Sequence, residues 1–121
     1  MKTEKRLHGD DGENLAATYL KEKGYKIIAR NYLTKLGEID IIALKNKTLV
    51  FVEVKTRSTA SFGGGIAAVG PSKQDRIAKT AIEYIKHNKP TFDGVIFDII
   101  AITDGKAEHI QNAFAPRGFT F

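Results

Sequence analysis

The sequence predicts a small α/β domain, on three observations. Two segments place apolar residues at helical spacing, five carry short apolar runs bounded by turn residues, and their order is helix, three strands, helix, two strands. The length of 121 residues suits one domain, residues 1–121, with a core that needs no disulfide staples. At 42% hydrophobic and 27% charged residues, the composition is that of an ordinary globular protein, away from disordered or fibrous biases.

The first helix is predicted over residues 10–23, where Leu15, Ala16, Tyr19 and Leu20 share a stripe and Gly24 supplies a stop. Residues 25–29 read as a short strand. Residues 37–44 and 49–56 read as two more, joined through the polar turn Lys45-Asn46-Lys47-Thr48 into an antiparallel hairpin. Residues 57–70, with Gly63-Gly64-Gly65, read as a mobile loop, because consecutive glycines lose the most freedom on ordering. The second helix opens near Ser72, which with Asp75 resembles a capping box; Ala78, Ala81, Ile82 and Ile85 form its apolar stripe, and Pro90 marks its end. Residues 95–102 and 107–113 are the last strands, joined across Asp104-Gly105, a strong hairpin signal.

Composition excludes several chemistries. With no Cys, disulfides, thiolate metal sites and Cys nucleophiles are impossible, so any metal must be held by oxygen or His ligands. His8, His87 and His109 are scattered without ligand spacing and read as surface or structural residues. Ser58, Ser61 and Ser72 lack the strand-turn-helix setting of a nucleophile elbow, and the glycine run lacks the Lys and Ser/Thr of a phosphate loop. The longest apolar runs, 41–44 and 49–52, fall far short of the roughly 18 residues of a membrane span. The charged start Met1-Lys2-Thr3-Glu4-Lys5-Arg6 is no secretory signal, so the cytoplasm is the expected location. The net charge of +5 is concentrated centrally, with nine basic against three acidic side chains in residues 41–90. Such an excess attracts polyanions, of which nucleic acid is the commonest, although solubility alone also accounts for it.

The chemistry-bearing residues lie on the central hairpin. Residues two apart on a strand share a face, so Glu53 and Lys55 project together while Val50, Val52 and Val54 pack behind them. On the preceding strand Glu38, Asp40 and Ile42 share one face and Ile39, Ile41 and Ala43 the other, and hairpin pairing brings Asp40 beside Glu53. Two carboxylates that close repel unless one is protonated or a cation lies between them. Magnesium, a hard ion that keeps waters and substrate phosphates in its shell, suits such a pair. Chance supplies about one Glu-x-Lys in a chain with seven Glu and fourteen Lys, so the context carries the signal: Asp40 stands thirteen residues before Glu53, with a basic helix downstream. A surface ion-pair cluster is the alternative reading.

Across nearly its whole length the chain resembles the YraN family of bacterial proteins. The resemblance is carried by Gly12-Glu13, Gly24-Tyr25, Arg30-Asn31, Gly37-Glu38-Ile39-Asp40, Phe51-Val52-Glu53-Val54-Lys55-Thr56-Arg57, Phe97-Asp98 and Asn112-Ala113-Phe114. That family is similar to the restriction-endonuclease-like superfamily, and among its members to the archaeal Holliday-junction resolvases. The resemblance implies a central mixed five-stranded sheet flanked by helices, with the superfamily's Asp and Glu-x-Lys falling on Asp40, Glu53 and Lys55. Ile39 stands where the nominal motif has Pro. The resolvases also place a Glu on the first helix, here Glu13, as a third carboxylate, and a Lys near Lys73.

The expected function is therefore metal-dependent, nuclease-like action on structured DNA. Glu13, Asp40 and Glu53 are the expected ligands of Mg2+ or Mn2+, Lys55 is the catalytic lysine, and Arg57, Lys73 and Arg76 are phosphate contacts, the last two at a helix start. Selection would be by shape, since no helix-turn-helix or zinc module is present to read base edges. A homodimer follows from the resolvase resemblance alone; neither a membrane nor a small-molecule cofactor is expected. The alternatives are a non-catalytic nucleic-acid-binding module with the same fold, and a protein-interaction factor.

Overall fold

The computed structural model describes the backbone of residues 4–57, 69–119 and 121, and the side chains of residues 11–56, 69–119 and 121. Helix α1 (Glu4–Glu22) leads into β1 (Lys26–Leu33), β2 (Glu38–Lys45) and β3 (Thr48–Arg57); α2 (Pro71–Asn88) then precedes β4 (Gly94–Thr103) and β5 (Lys106–Phe114). The strands lie side by side in chain order in one sheet. Neighbours are antiparallel except β3 and β4, which are parallel, so the sheet is mixed and five-stranded as expected. No helix among the described residues is long and apolar enough to cross a membrane.

Two apolar layers sandwich the sheet. Ala16, Ala17 and Leu20 of α1 pack on Ile41, Ala43, Val50, Val52, Ile100 and Ile102. Ile77, Ala81 and Tyr84 of α2 pack on Ile39, Ile42, Leu49, Phe51 and Phe97 of the other face. Residues 49–52 and 97–102 are buried without alternation because both faces of the central strands are covered. The turns follow local chemistry. Gly24, at φ 90°, lets α1 close with Gly24 N–H on the Lys21 carbonyl and Tyr25 N–H on the Leu20 carbonyl, the Schellman arrangement. Asn46 and Lys47, and likewise Asp104 and Gly105, have positive φ and make two-residue hairpin turns that match strand twist.

Several expectations are corrected. On α1 the buried stripe is rotated: Ala17 faces the sheet and Leu15 is 43% exposed, because the small alanines let the helix approach closely. Strand β1 extends to Leu33, beyond the apolar run, since it pairs with β2 through Leu33–Glu38. Helix α2 starts at Pro71 after Gly70, with no side-chain cap; Pro presets the helical φ at the first position, so Ser72 lies inside the first turn and the capping box does not form. Its stripe is Ile77, Ala78, Thr80, Ala81 and Tyr84, with Ile82 and Ile85 half-buried; Thr80 is accommodated because its hydroxyl donates to the Arg76 carbonyl at 2.7 Å. Ile39 packs with Ile42 on the α2 face, not with Ile41 and Ala43, so side-chain alternation breaks at Asp40. The glycine run 63–65, Ser58, Ser61 and the His8 side chain lie outside the described residues.

Among the described residues one charged side chain, that of Asp98, is wholly buried. Asp98 interrupts the β4–β5 ladder, accepting the Asn112 N–H at 2.8 Å on one oxygen and facing His109 Nε2 at 2.7 Å with the other. A carboxylate only accepts, so Nε2 carries the proton of that bond, and the Tyr19 hydroxyl lies 3.2 Å from Nδ1. His109 is thus structural. Asp98→Ala strands two buried donors and is expected to lower unfolding free energy by about 2–4 kcal/mol in urea titration; a loss below about 0.5 kcal/mol would show that neither bond matters to the fold.

Candidate active-site cleft

The sheet forks at one end. Extending the hairpin register sets Asp40 opposite Glu53, but the β2–β3 ladder stops one pair earlier, at Ile41–Val52. From there β2 stays with β1, through Ile39–Tyr32 and Glu38–Leu33, while β3 follows β4 as far as Arg57–Thr103. The Asp40 side chain spans the opening, and the Val54 N–H donates to its Oδ2 at 2.7 Å.

On the α2 side of this fork Asp40, Glu53, Lys73 and Arg76, together with Gly37, Glu38 and Ile77, line a cleft of about 170 Å3. Gly37 allows the close approach of α2: a Cβ there would lie 3.2 Å from the Thr80 hydroxyl and 3.5 Å from Arg76 Cβ. Lys73, in the first turn of α2, donates from Nζ to Glu53 Oε1 at 2.5 Å. From the opposite face α1 reaches the same end of the sheet. At Gly12 it passes so near β3 that a Cβ would collide with the Thr56 hydroxyl. Glu13 follows, its buried Oε1 3.7 Å from Arg30 Nη2, and Arg30 also donates to Asn14 Oδ1 at 2.9 Å.

The electrostatics single out Asp40. Burial raises its carboxyl from an ordinary 3.8 to about 7; the Glu53 charge adds to the rise, the Val54 N–H opposes it, and Glu13 and Glu38 add smaller contributions. The Lys73 ammonium sits on Glu53, which leaves the Asp40 charge uncompensated. A carboxyl that titrates near neutrality can exchange a proton or accept a hard cation.

Four expected site residues therefore meet in one cleft: Asp40, Glu53, Lys73 and Arg76. Lys55 is half-buried two residues beyond Glu53 on β3, outside the cleft lining, and the Arg57 side chain lies outside the described residues. Among the described residues no three carboxylate or imidazole groups gather closely enough to hold one ion. Glu13 lies on the opposite face, 3.7 Å from Arg30 through Oε1, and its charge still acts on Asp40. Strand alternation already sets Glu38 on the face of Asp40, whereas the Arg30 contact with α1 has no local sequence signal, since its partners lie on another element.

The folded protein holds the Asp40 proton up to about pH 7, whereas an unfolded chain releases it near pH 4. Fewer protons are bound by the unfolded state between those values, so stability falls there as pH rises. The difference sets a ceiling of about 4 kcal/mol, which the open side of the cleft lowers. Asp40→Asn keeps an acceptor for Val54 and removes the charge. It is expected to raise Tm by several degrees above pH 7 in metal-free buffer and to leave it unchanged at pH 4; an equal shift at both pH values would place the gain elsewhere.

The family model described as "Uncharacterised protein family UPF0102" matches residues 12–102, a span that contains every residue of the cleft. The chain is 47% identical over 107 residues to a UPF0102 protein of Syntrophomonas wolfei, covering 85% of this chain and 93% of that one. It is 47% identical over 106 residues to one of Thermodesulfovibrio yellowstonii, with 88% and 94% covered. A Geobacter sulfurreducens relative is 46% identical over 114 residues, with 90% and 89% covered. The family match spans the forked sheet and its carboxylates, and these identities extend over most of the chain, so the chain belongs to the uncharacterised protein family UPF0102, the YraN family.

Proposed function

We propose that the protein is a metal-dependent nuclease that hydrolyses phosphodiesters in structured DNA. The observation that carries this reading is the pairing of Asp40, raised to about 7, with Glu53 in a cleft walled by basic side chains. The donor set suits Mg2+ or Mn2+: two carboxylates are enough for an ion that retains waters and substrate phosphate oxygens. Asp40 and Glu53 would hold it. When bound, such an ion lowers the pKa of a water and offsets charge developing on the phosphate.

The other residues have roles that follow from their places. Glu13 and Glu38 deepen the negative potential at Asp40. Lys55, next along β3 from Glu53 on the same side of the strand, stabilises negative charge developing on the substrate. Lys73 and Arg76, with Arg57, receive backbone phosphates, which fixes orientation without reading bases. A two-fold dimer would match a two-fold junction. A second reading, a non-catalytic nucleic-acid-binding module, draws support from the Lys73–Glu53 ion pair, which neutralises Glu53 as a structural pair would.

Labelled duplex, single strand, flap, four-way junction and RNA, each with Mg2+ or Mn2+, separate the two readings. Structure-selective cutting is expected, reduced roughly 100-fold or more by Glu53→Gln. Salt-sensitive binding without cutting would transfer the protein to the binding-module reading, and no binding even at low salt would remove both.

A further inference from the structure

We infer that Lys73 is an exchangeable counter-cation: its ammonium occupies Glu53 until a divalent cation takes Asp40 and Glu53 together, and it is then released into the mouth of the cleft. The inference rests on the reading of Asp40 and Glu53 as metal ligands and adds a control on how tightly they bind.

Three features of the contact make it an exchange site. The partners differ in freedom, for Glu53 is 11% exposed and held opposite Ile99 on the central strand of the sheet, whereas Lys73 is 44% exposed on the first turn of α2. The ammonium can therefore leave for water, and the carboxylate cannot. Lysine also holds a carboxylate as a single flexible point charge, where the planar fork of an Arg would grip it through two bonds and resist displacement.

The charges do not balance while Lys73 is in place. One positive charge sits on Glu53, and Asp40 lines the same cleft beside that carboxylate with the Val54 N–H as its hydrogen-bond donor. A doubly charged ion between the two groups answers both, so it outcompetes a monovalent side chain that answers one. The released ammonium remains in the cleft lining beside Arg76, where Glu38 is the carboxylate left to it. Metal binding would thus turn a carboxylate-bound lysine into one available to a polyanion, which couples the two ligands through one side chain.

Binding of Mn2+ alone, followed by the EPR signal of the free ion, tests the exchange without reference to cleavage. Lys73→Met is expected to bind Mn2+ roughly three- to tenfold more tightly than wild type, while Lys73→Arg, which keeps the charge, binds no more tightly. Release is read separately, by acetylation of Lys73 with acetic anhydride, acetate being the leaving group, and mass spectrometry. Labelling should rise when Mn2+ is added to wild type and should already be high in Glu53→Gln. Equal Mn2+ affinity in wild type and Lys73→Met, or labelling indifferent to Mn2+, overturns the exchange and leaves the metal site standing. Failure of both proteins to bind Mn2+, or binding by Glu53→Gln as tight as wild type, overturns the metal reading and the exchange with it.

Discussion

The hydrogen bond from the Val54 N–H to Asp40 Oδ2 joins two strands whose backbones have ceased to pair, and the cleft exists because a side chain has replaced the ladder there. Had β2 and β3 continued in register, Asp40 and Glu53 would be an ordinary cross-strand pair on a closed surface, with like charges opposed and no room between them. By parting after Ile41–Val52, the sheet gives up backbone bonds worth about 1 kcal/mol each and recovers part of that through the Asp40–Val54 bond. The gain is a concave site with a carboxylate on each arm. Each arm keeps its own outer partner, β1 for β2 and β4 for β3, so the opening stays rigid.

Asp98 shows what the same device does when it serves only the fold. Like Asp40, it sits where a ladder is interrupted and takes a backbone N–H on its carboxylate. Asp98, however, is also bonded to His109, and the pair is closed off beneath the Tyr19 and Tyr25 rings. Asp40 faces another carboxylate in its place. One aspartate is thus satisfied and contributes to cohesion, while the other is held against electrostatic preference, a cost found where a site must meet a ligand.

Much of this was legible in the sequence, for identifiable reasons. The order of elements along the chain, both hairpin turns and the projection of Glu53 away from Val50, Val52 and Val54 follow from residue patterning and turn chemistry, which are local. The fork was not legible: strict alternation groups Ile39 with Ile41, and only tertiary packing of Ile39 against α2 breaks that phase. For the same reason hairpin register brings Asp40 to the Glu53 position but implies a closed ladder, where the ladder in fact stops at Ile41–Val52. The buried role of Asp98 and His109 was hidden as well, because their contact depends on how β5 bulges past β4. Resemblance supplied Glu13 as a third ligand, while the geometry ties it to Arg30, a partner on another element.

That tie accounts for how the width of the fork is held. Within three consecutive residues α1 touches both arms: Gly12 abuts Thr56 on β3, and Glu13 and Asn14 engage Arg30 on β1, the strand that accompanies β2 beyond the branch point. The helix lies on the face opposite the cleft, so it acts as a brace across the back of the opening. Gly12 sets how closely the brace lies to one arm, since any side chain there would push α1 away from Thr56. Arg30, whose Nη2 donates to Asn14 Oδ1 and lies 3.7 Å from Glu13 Oε1, sets the other. The separation of Asp40 and Glu53 is therefore fixed from three sides, by α1 behind, by the Asp40–Val54 bond within, and by α2 packed on Gly37 in front. An ion or a phosphate would find the two carboxylates already placed, and Lys73 would be the side chain that has to move.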